Sequence, residues 1–148
     1  QVDYKLIDPL TLTLGLRYEA NRTRLDRRRN YEFPGGIFPI GETVNDVEQI
    51  SNEILPKAAL QYQLNPNLSA YVSATRGYKP GGLNYRADTA ANRSFTEETS
   101  WTYEAGLKSS WLDNRLTANL SVFHTQLDNY QVALPDLSGQ FRNIANAG

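Results

Sequence analysis

Arg76, Tyr78, Lys79, Tyr85 and Arg86 set three cations beside two phenol rings within one short stretch. Such a mixture suits capture rather than bond breaking. Guanidinium forks pair with anionic oxygen groups, and aromatic faces stack on planar ligands. The same residue types also anchor a sheet at a membrane boundary or solvate a loop, and both readings stay open. Arg27, Arg28 and Arg29 form a second basic run, suited to anionic solutes, to membrane phosphates or to plain solvation. Glu104 and Lys108 flank Gly106 with strand spacing and read as charges on one inner face. Asp3, Asp8, Asp26 and Asp46 lack the spacing of a calcium loop. His124 is the one histidine, and no serine stands in a recognisable nucleophile setting beside it. Pro80-Gly81-Gly82 precedes no helical pattern, so it is not a phosphate cradle. No enzyme is expected.

The elements that position these residues alternate with period two. From Thr99 to Trp111 one face reads Thr99, Trp101, Tyr103, Ala105, Leu107, Ser109, Trp111; the other reads Ser100, Thr102, Glu104, Gly106, Lys108, Ser110. At about 3.3 Å per residue and a tilt near 40°, the stretch from Trp101 to Trp111 rises roughly 25 Å. That is the height of the lipid-facing band of an outer-membrane β-barrel, with an aromatic residue at each water boundary. Leu10, Leu12, Leu14, Leu16, Tyr18 and Ala20 repeat the alternation, as do Ala58, Leu60, Tyr62 and Leu64, then Leu68, Ala70, Val72 and Ala74, then Leu116, Ala118, Leu120 and Val122. A helix would space its apolar set at three and four.

Strands are therefore expected over Val2–Ile7, Leu10 to about Leu25, Ile54–Leu64, Leu68–Tyr78, Thr99–Trp111 and Leu116 to about Gln131, with a seventh starting near Gln140. Asp8-Pro9, Asn65-Pro66-Asn67 and Leu112–Arg115 read as tight turns. Asp26 to about Asn52 and Lys79 to about Glu97 read as long loops, of a length that points to function. Short turns on one side and long loops on the other match an outer-membrane barrel, whose short turns face the periplasm. Tyr4, Tyr18, Tyr62, Trp101 and Trp111 are the expected membrane-interface aromatics. A soluble β-sandwich also alternates, but rarely joins strands this long by loops this unequal.

Bulk composition agrees. The 148 residues include no cysteine, which excludes a disulfide scaffold and a thiolate metal site. A net charge of −1 gives no nucleic-acid footprint. Mean hydropathy is −0.54, and no apolar run approaches the ~18 residues of a transmembrane helix. The chain opens on Gln1 in what reads as mid-strand, so a segment of a longer protein is expected.

Tyr71-Val72-Ser73-Ala74-Thr75-Arg76-Gly77-Tyr78-Lys79-Pro80-Gly81-Gly82-Leu83-Asn84 resembles a strand-to-loop passage of the TonB-dependent outer-membrane receptors. Thr75 departs from the small residue usual there. Phe95–Lys108 resembles a second passage of that family, with Glu97 in place of the usual proline. Asp113-Asn114-Arg115-Leu116 with Leu120–Phe123, then Asp128–Gln131 and Asn143–Gly148, resemble the passages that follow. The resemblance covers about Leu55 to Gly148. It implies an all-β antiparallel meander of about 6–7 long strands, a segment of a transmembrane barrel of about 22 strands. Residues 1–148 would form a partial barrel domain, without the family's plug, N-terminal box and final strand. The resemblance further implies uptake of scarce nutrients in the bacterial outer membrane, by family frequency ferric siderophores. Energy would come from a TonB complex acting through the missing N-terminal region. Outer-membrane lipid is the implied surrounding, and no cofactor is implied. The alternative is a small closed outer-membrane barrel with a structural or adhesion role; a barrel lipid hydrolase using His124 is a third reading.

Overall fold

β-Branched, aromatic and leucine residues at every second position favour a pleated surface that is apolar on one side only. The computed structural model describes residues 1–29, 42–87, 89–135, 139 and 142–147. Among them there is no helix. The strands are β1 (Val2–Ile7), β2 (Leu10–Arg29), β3 (Glu42–Asn65), β4 (Leu68–Lys79), β5 (Gly82–Leu83), β6 (Ser94–Phe95), β7 (Glu98–Trp111), β8 (Leu116–Asp128), β9 (Tyr130–Pro135) and β10 (Arg142–Ala147). Six form one sheet in the order β1-β2-β3-β4-β7-β8, and β5–β6 and β9–β10 form separate pairs. Sheet order follows chain order, as an antiparallel meander requires.

Register keeps like residues together. Leu12 lies opposite Tyr4, Leu60 opposite Val72, Leu107 opposite Leu120, and Trp111 opposite Leu116. The reverse face pairs Gln61 with Tyr71, Gly106 with Ser121, and Lys108 with Asn119. The apolar face has no protein cover: Val72 is 53% exposed and Leu120 67%. Among the described residues only Val44 and Ala87 are buried and apolar. A face this apolar and this bare is matched to hydrocarbon, and its reverse to water.

Tight turns close the hairpins as expected. The Asn65 carboxamide accepts from the Asn67 backbone at 2.9 Å, an Asx turn between β3 and β4. Leu112, Asp113 and Asn114 all take positive φ between β7 and β8. Register shifts sit beside the first two turns, between Lys5 and Ile7 and between Gln63 and Asn65.

The first long loop is shorter than its polar sequence suggests. β2 continues to Arg29 and β3 begins at Glu42. Within Asp26–Asn52, residues 30–41 lie outside the described residues. Alternation is lost over these extensions, where Arg27, Val44 and Ser51 are buried between exposed neighbours. Ion pairs join them instead: Arg22 to Glu48 at 2.7 Å and Arg24 to Asp46 at 2.9 Å. The expected sixth strand divides at Asn129, whose φ of 54° ends β8 before β9 begins.

The chain divides into two compact units. A wall unit comprises Gln1–Glu19, Glu53–Tyr78 and Thr99–Asp128; a loop unit comprises Ala20–Asn52, Lys79–Glu98 and Asn129–Gly148.

Candidate ligand-capture site

On the water face of the wall unit, Tyr71 reaches from β4 across the seam to β7. Its hydroxyl donates to the Glu104 carboxylate, and Lys108 Nζ stands 5.1 Å from the centre of its ring. Glu104 and Lys108 are thus joined through an aromatic ring rather than paired directly. Gly106 makes room for that ring: a Cβ there would fall 2.6 Å from Tyr71 Cε1. These side chains cover the seam and present charge to the aqueous side.

Arg76 and Tyr78, two of the five candidate residues, also belong to the wall unit. By β4 alternation Arg76 shares a face with Val72 and Ala74. Its guanidinium pairs with Glu53 and stands 6.0 Å from the centre of the Trp101 ring. Trp101 stacks in turn on Tyr103, with ring centres 6.2 Å apart. A cation beside lipid is tolerated near the boundary when it is paired and held on an aromatic face. Among the described residues the buried Tyr78 hydroxyl meets no hydrogen-bond partner. Trp111, Tyr62 and Tyr4 lie on the apolar face near the short turns, and Tyr18 is exposed on the same side of β2. His124 stands opposite Tyr103, also on that face.

Lys79, Tyr85 and Arg86 belong to the loop unit. Lys79 ends β4 and is exposed. Tyr85 and Arg86 occupy the two central positions of a turn that runs from Asn84 to Ala87, closed by the Ala87 N–H donating to the Asn84 carbonyl at 3.3 Å. The corners of that turn are buried, Asn84 at 7% and Ala87 at 3%, whereas Tyr85 is 60% exposed. The Arg27 guanidinium, itself 5% exposed, donates to the Tyr85 carbonyl. Arg27 is therefore buried against the turn and not in a solvated basic run. Arg28 is exposed.

Carboxamides fix the rest of this loop. Asn84 Nδ2 donates to the Ile144 carbonyl and Asn84 Oδ1 accepts from the Ile144 N–H, both at 2.8 Å; Nδ2 also reaches the Asn92 carbonyl at 2.7 Å. Asn146 treats Thr96 alike, accepting from its N–H at 2.8 Å and donating to its carbonyl at 3.0 Å. Each amide reproduces the paired bonds of a β-ladder with one side chain. Gln131 Nε2 donates at 3.0 Å to the carbonyls of Pro80 and Thr96, while its backbone N–H donates to Glu98 at 2.6 Å. The Gly81 N–H donates to Ser51 Oγ at 3.2 Å, and a Cβ on Gly81 would fall 2.6 Å from the Phe95 carbonyl oxygen. Sequence reasoning missed these anchors. Asn84 at the end of the Gly-Gly passage and Asn146 near the last residues are visible in the sequence, but nothing local marks them as anchors.

A cleft of about 260 Å³ in the loop unit is lined by Asn92, Ser94, Leu134, Asn143 and Ile144 among others, and by none of the five candidates. Among the described residues no cluster of His, Cys, Asp or Glu could hold a metal ion.

The comparisons with known proteins fit this geometry. The family model described as TonB dependent receptor-like, beta-barrel, matches residues 1–148. The chain belongs to that family. It is accordingly part of a β-barrel of the bacterial outer membrane. A curated ferric-pyoverdine receptor of a Pseudomonas species is 30% identical over 121 residues, covering 82% of this chain and 14% of the relative. The metal-pseudopaline receptor CntO of Pseudomonas aeruginosa is 28% identical over 139 residues, covering 90% of this chain and 17% of the relative. The chain thus spans less than a fifth of the length of these relatives. Among solved structures, the ferric yersiniabactin uptake receptor FyuA of Yersinia pestis superposes with a TM-score of 0.73 at 23% identity, over 99% of this chain and 20% of its own. The ferric-catecholate import receptor Fiu of E. coli gives 0.70 at 22% identity, over 95% and 22%. These likenesses show the fold, a segment of a large barrel wall, and set aside the small closed barrel.

Proposed function

We propose that this chain supplies part of the wall and one capture loop of an outer-membrane receptor for ferric siderophores, energised by a TonB complex through another part of the protein. The curated relatives are receptors for metal chelates by name, which supports the ligand class. The observation that carries the reading is the turn at Tyr85 and Arg86. It carries an aromatic and a guanidinium residue at adjacent exposed positions between buried corners. Ferric siderophore complexes combine planar chelating groups with anionic oxygens, the two features such a pair recognises. Lys79 adds positive charge on the same loop. Arg76 and Tyr78 are separate candidates within the wall unit, where Arg76 is shared between Glu53 and Trp101. Tyr4, Tyr18, Tyr62, Trp101 and Trp111 hold the wall at the two membrane boundaries. No catalytic residue is assigned.

The test uses the full-length receptor and a panel of iron chelates that includes ferric pyoverdine. Replacing Tyr85 and Arg86 together by alanine weakens binding of the recognised chelate at least tenfold. Replacing Arg76 weakens it less than replacing Arg86. Unchanged binding in the double variant would remove this turn from the site.

A further inference from the structure

We infer that Arg27 is a positioning residue for the capture turn, fixing its backbone before ligand arrives. The inference rests on the capture role of Tyr85 and Arg86 and adds how that pair is held. A guanidinium removed from water is costly unless its donors are used. Arg27 is 5% exposed and sends a donor across 58 positions of sequence to the Tyr85 carbonyl. That carbonyl belongs to a central residue of the turn, not to a corner. The closing bond from Ala87 to Asn84 leaves it unused. Arg27 therefore constrains the part of the turn that the ladder-like bonds of Asn84 do not reach.

The remaining contacts make the constraint effective. Asn84 is tied to Ile144 and to Asn92, and the Asn84 N–H donates to the Arg93 carbonyl at 2.8 Å. Ala87 is buried. With both corners fixed, the freedom left to the turn is rotation of its central peptide units, and Arg27 holds one of their oxygens. A buried charged donor to a carbonyl is stronger than a neutral one. Tyr85 and Arg86 consequently project from a backbone that needs little ordering on binding, and preorganisation of this kind raises affinity without a new contact. If loss of Arg27 lowers the population of the competent turn to about a tenth, apparent affinity falls about tenfold.

The experiment has two arms on the full-length receptor in the outer membrane. In the first, a nitroxide is attached at Arg86→Cys and its line shape recorded without ligand. The label is immobilised when Arg27 is present and gains motion with Arg27→Ala; Arg27→Lys, which keeps a donor and the charge, restores much of the order. In the second, without the label, Arg27→Ala weakens binding of the recognised ferric chelate about tenfold, and Arg27→Lys recovers part of the loss. If Arg27→Ala prevents barrel assembly, Arg27→Lys and Arg27→Gln, measured for label motion and affinity, decide. A line shape indifferent to all the Arg27 variants that assemble would overturn the positioning role. A line shape that responds while binding ignores Tyr85→Ala and Arg86→Ala would keep Arg27 as an anchor and overturn the capture reading beneath it.

Discussion

The wall unit and the loop unit use polar side chains in opposite ways. In the wall, backbone pairs with backbone along every strand, and side chains are sorted by the solvent they meet. Leu107 and Leu120 lie on one face, and Gly106 and Ser121 on the other. In the loop unit, which has short ladders of its own at β5–β6 and β9–β10, side chains pair with backbone as well: Asn84 to Ile144, Asn146 to Thr96, Gln131 to Pro80 and Arg27 to Tyr85. The difference follows from the environment. Hydrocarbon leaves no partner for an unpaired peptide group, so a spanning segment must complete its ladder internally. A loop that departs from the ladder leaves peptide groups open, and buried carboxamides close them at fixed positions. The wall is therefore specified by pattern, and the loop by individual residues.

That contrast predicts where substitutions hurt. The largest effect is expected for Leu120→Arg on the apolar face, at about 2–4 kcal/mol of folding stability in a bilayer. Its neighbour Ser121→Arg should cost under about 1 kcal/mol, because it opens on water. Denaturant unfolding of the full-length barrel in lipid vesicles measures both, and equal costs would break the two-solvent description. Gly106→Ala should cost about 1–3 kcal/mol, since the new methyl displaces the Tyr71 ring from Glu104. The double variant with Tyr71→Ala should recover part of that loss. Asn84→Ala should cost about 1–3 kcal/mol through the backbone groups it leaves unpaired. Its signature is local: faster hydrogen exchange at Ile144 and across residues 80–98, with the wall strands unchanged. Uniformly faster exchange would show that the loop is not a separate unit.

The same contrast explains what could be read from sequence. Leu10–Tyr18, Leu60–Leu64 and Leu116–Val122 announced their strands because two solvents impose period two. The polar run from Asp26 to Asn52 concealed strand at both ends, because Arg27, Val44 and Ser51 are buried there without a period-two apolar pattern to announce them. Arg28 conforms to a solvated basic run, but Arg27 does not: it is buried and reaches a carbonyl 58 positions away. Tyr85 and Arg86 were legible as candidates by residue type alone. The buried corners Asn84 and Ala87 that present them were not, because no local pattern separates an anchoring asparagine from a loop asparagine.

Strand faces that divide lipid from water are the central claim, and β8 offers the cleanest test. Single nitroxides placed at successive positions from Leu116 to Val122 of the full-length receptor in bilayers would report exposure to oxygen, which concentrates in lipid, and to a water-soluble nickel chelate. Leu116, Ala118, Leu120 and Val122 should favour oxygen, and Thr117, Asn119 and Ser121 the chelate, in strict alternation. A profile without period two, or with Leu120 reached by the chelate as readily as Ser121, would contradict it.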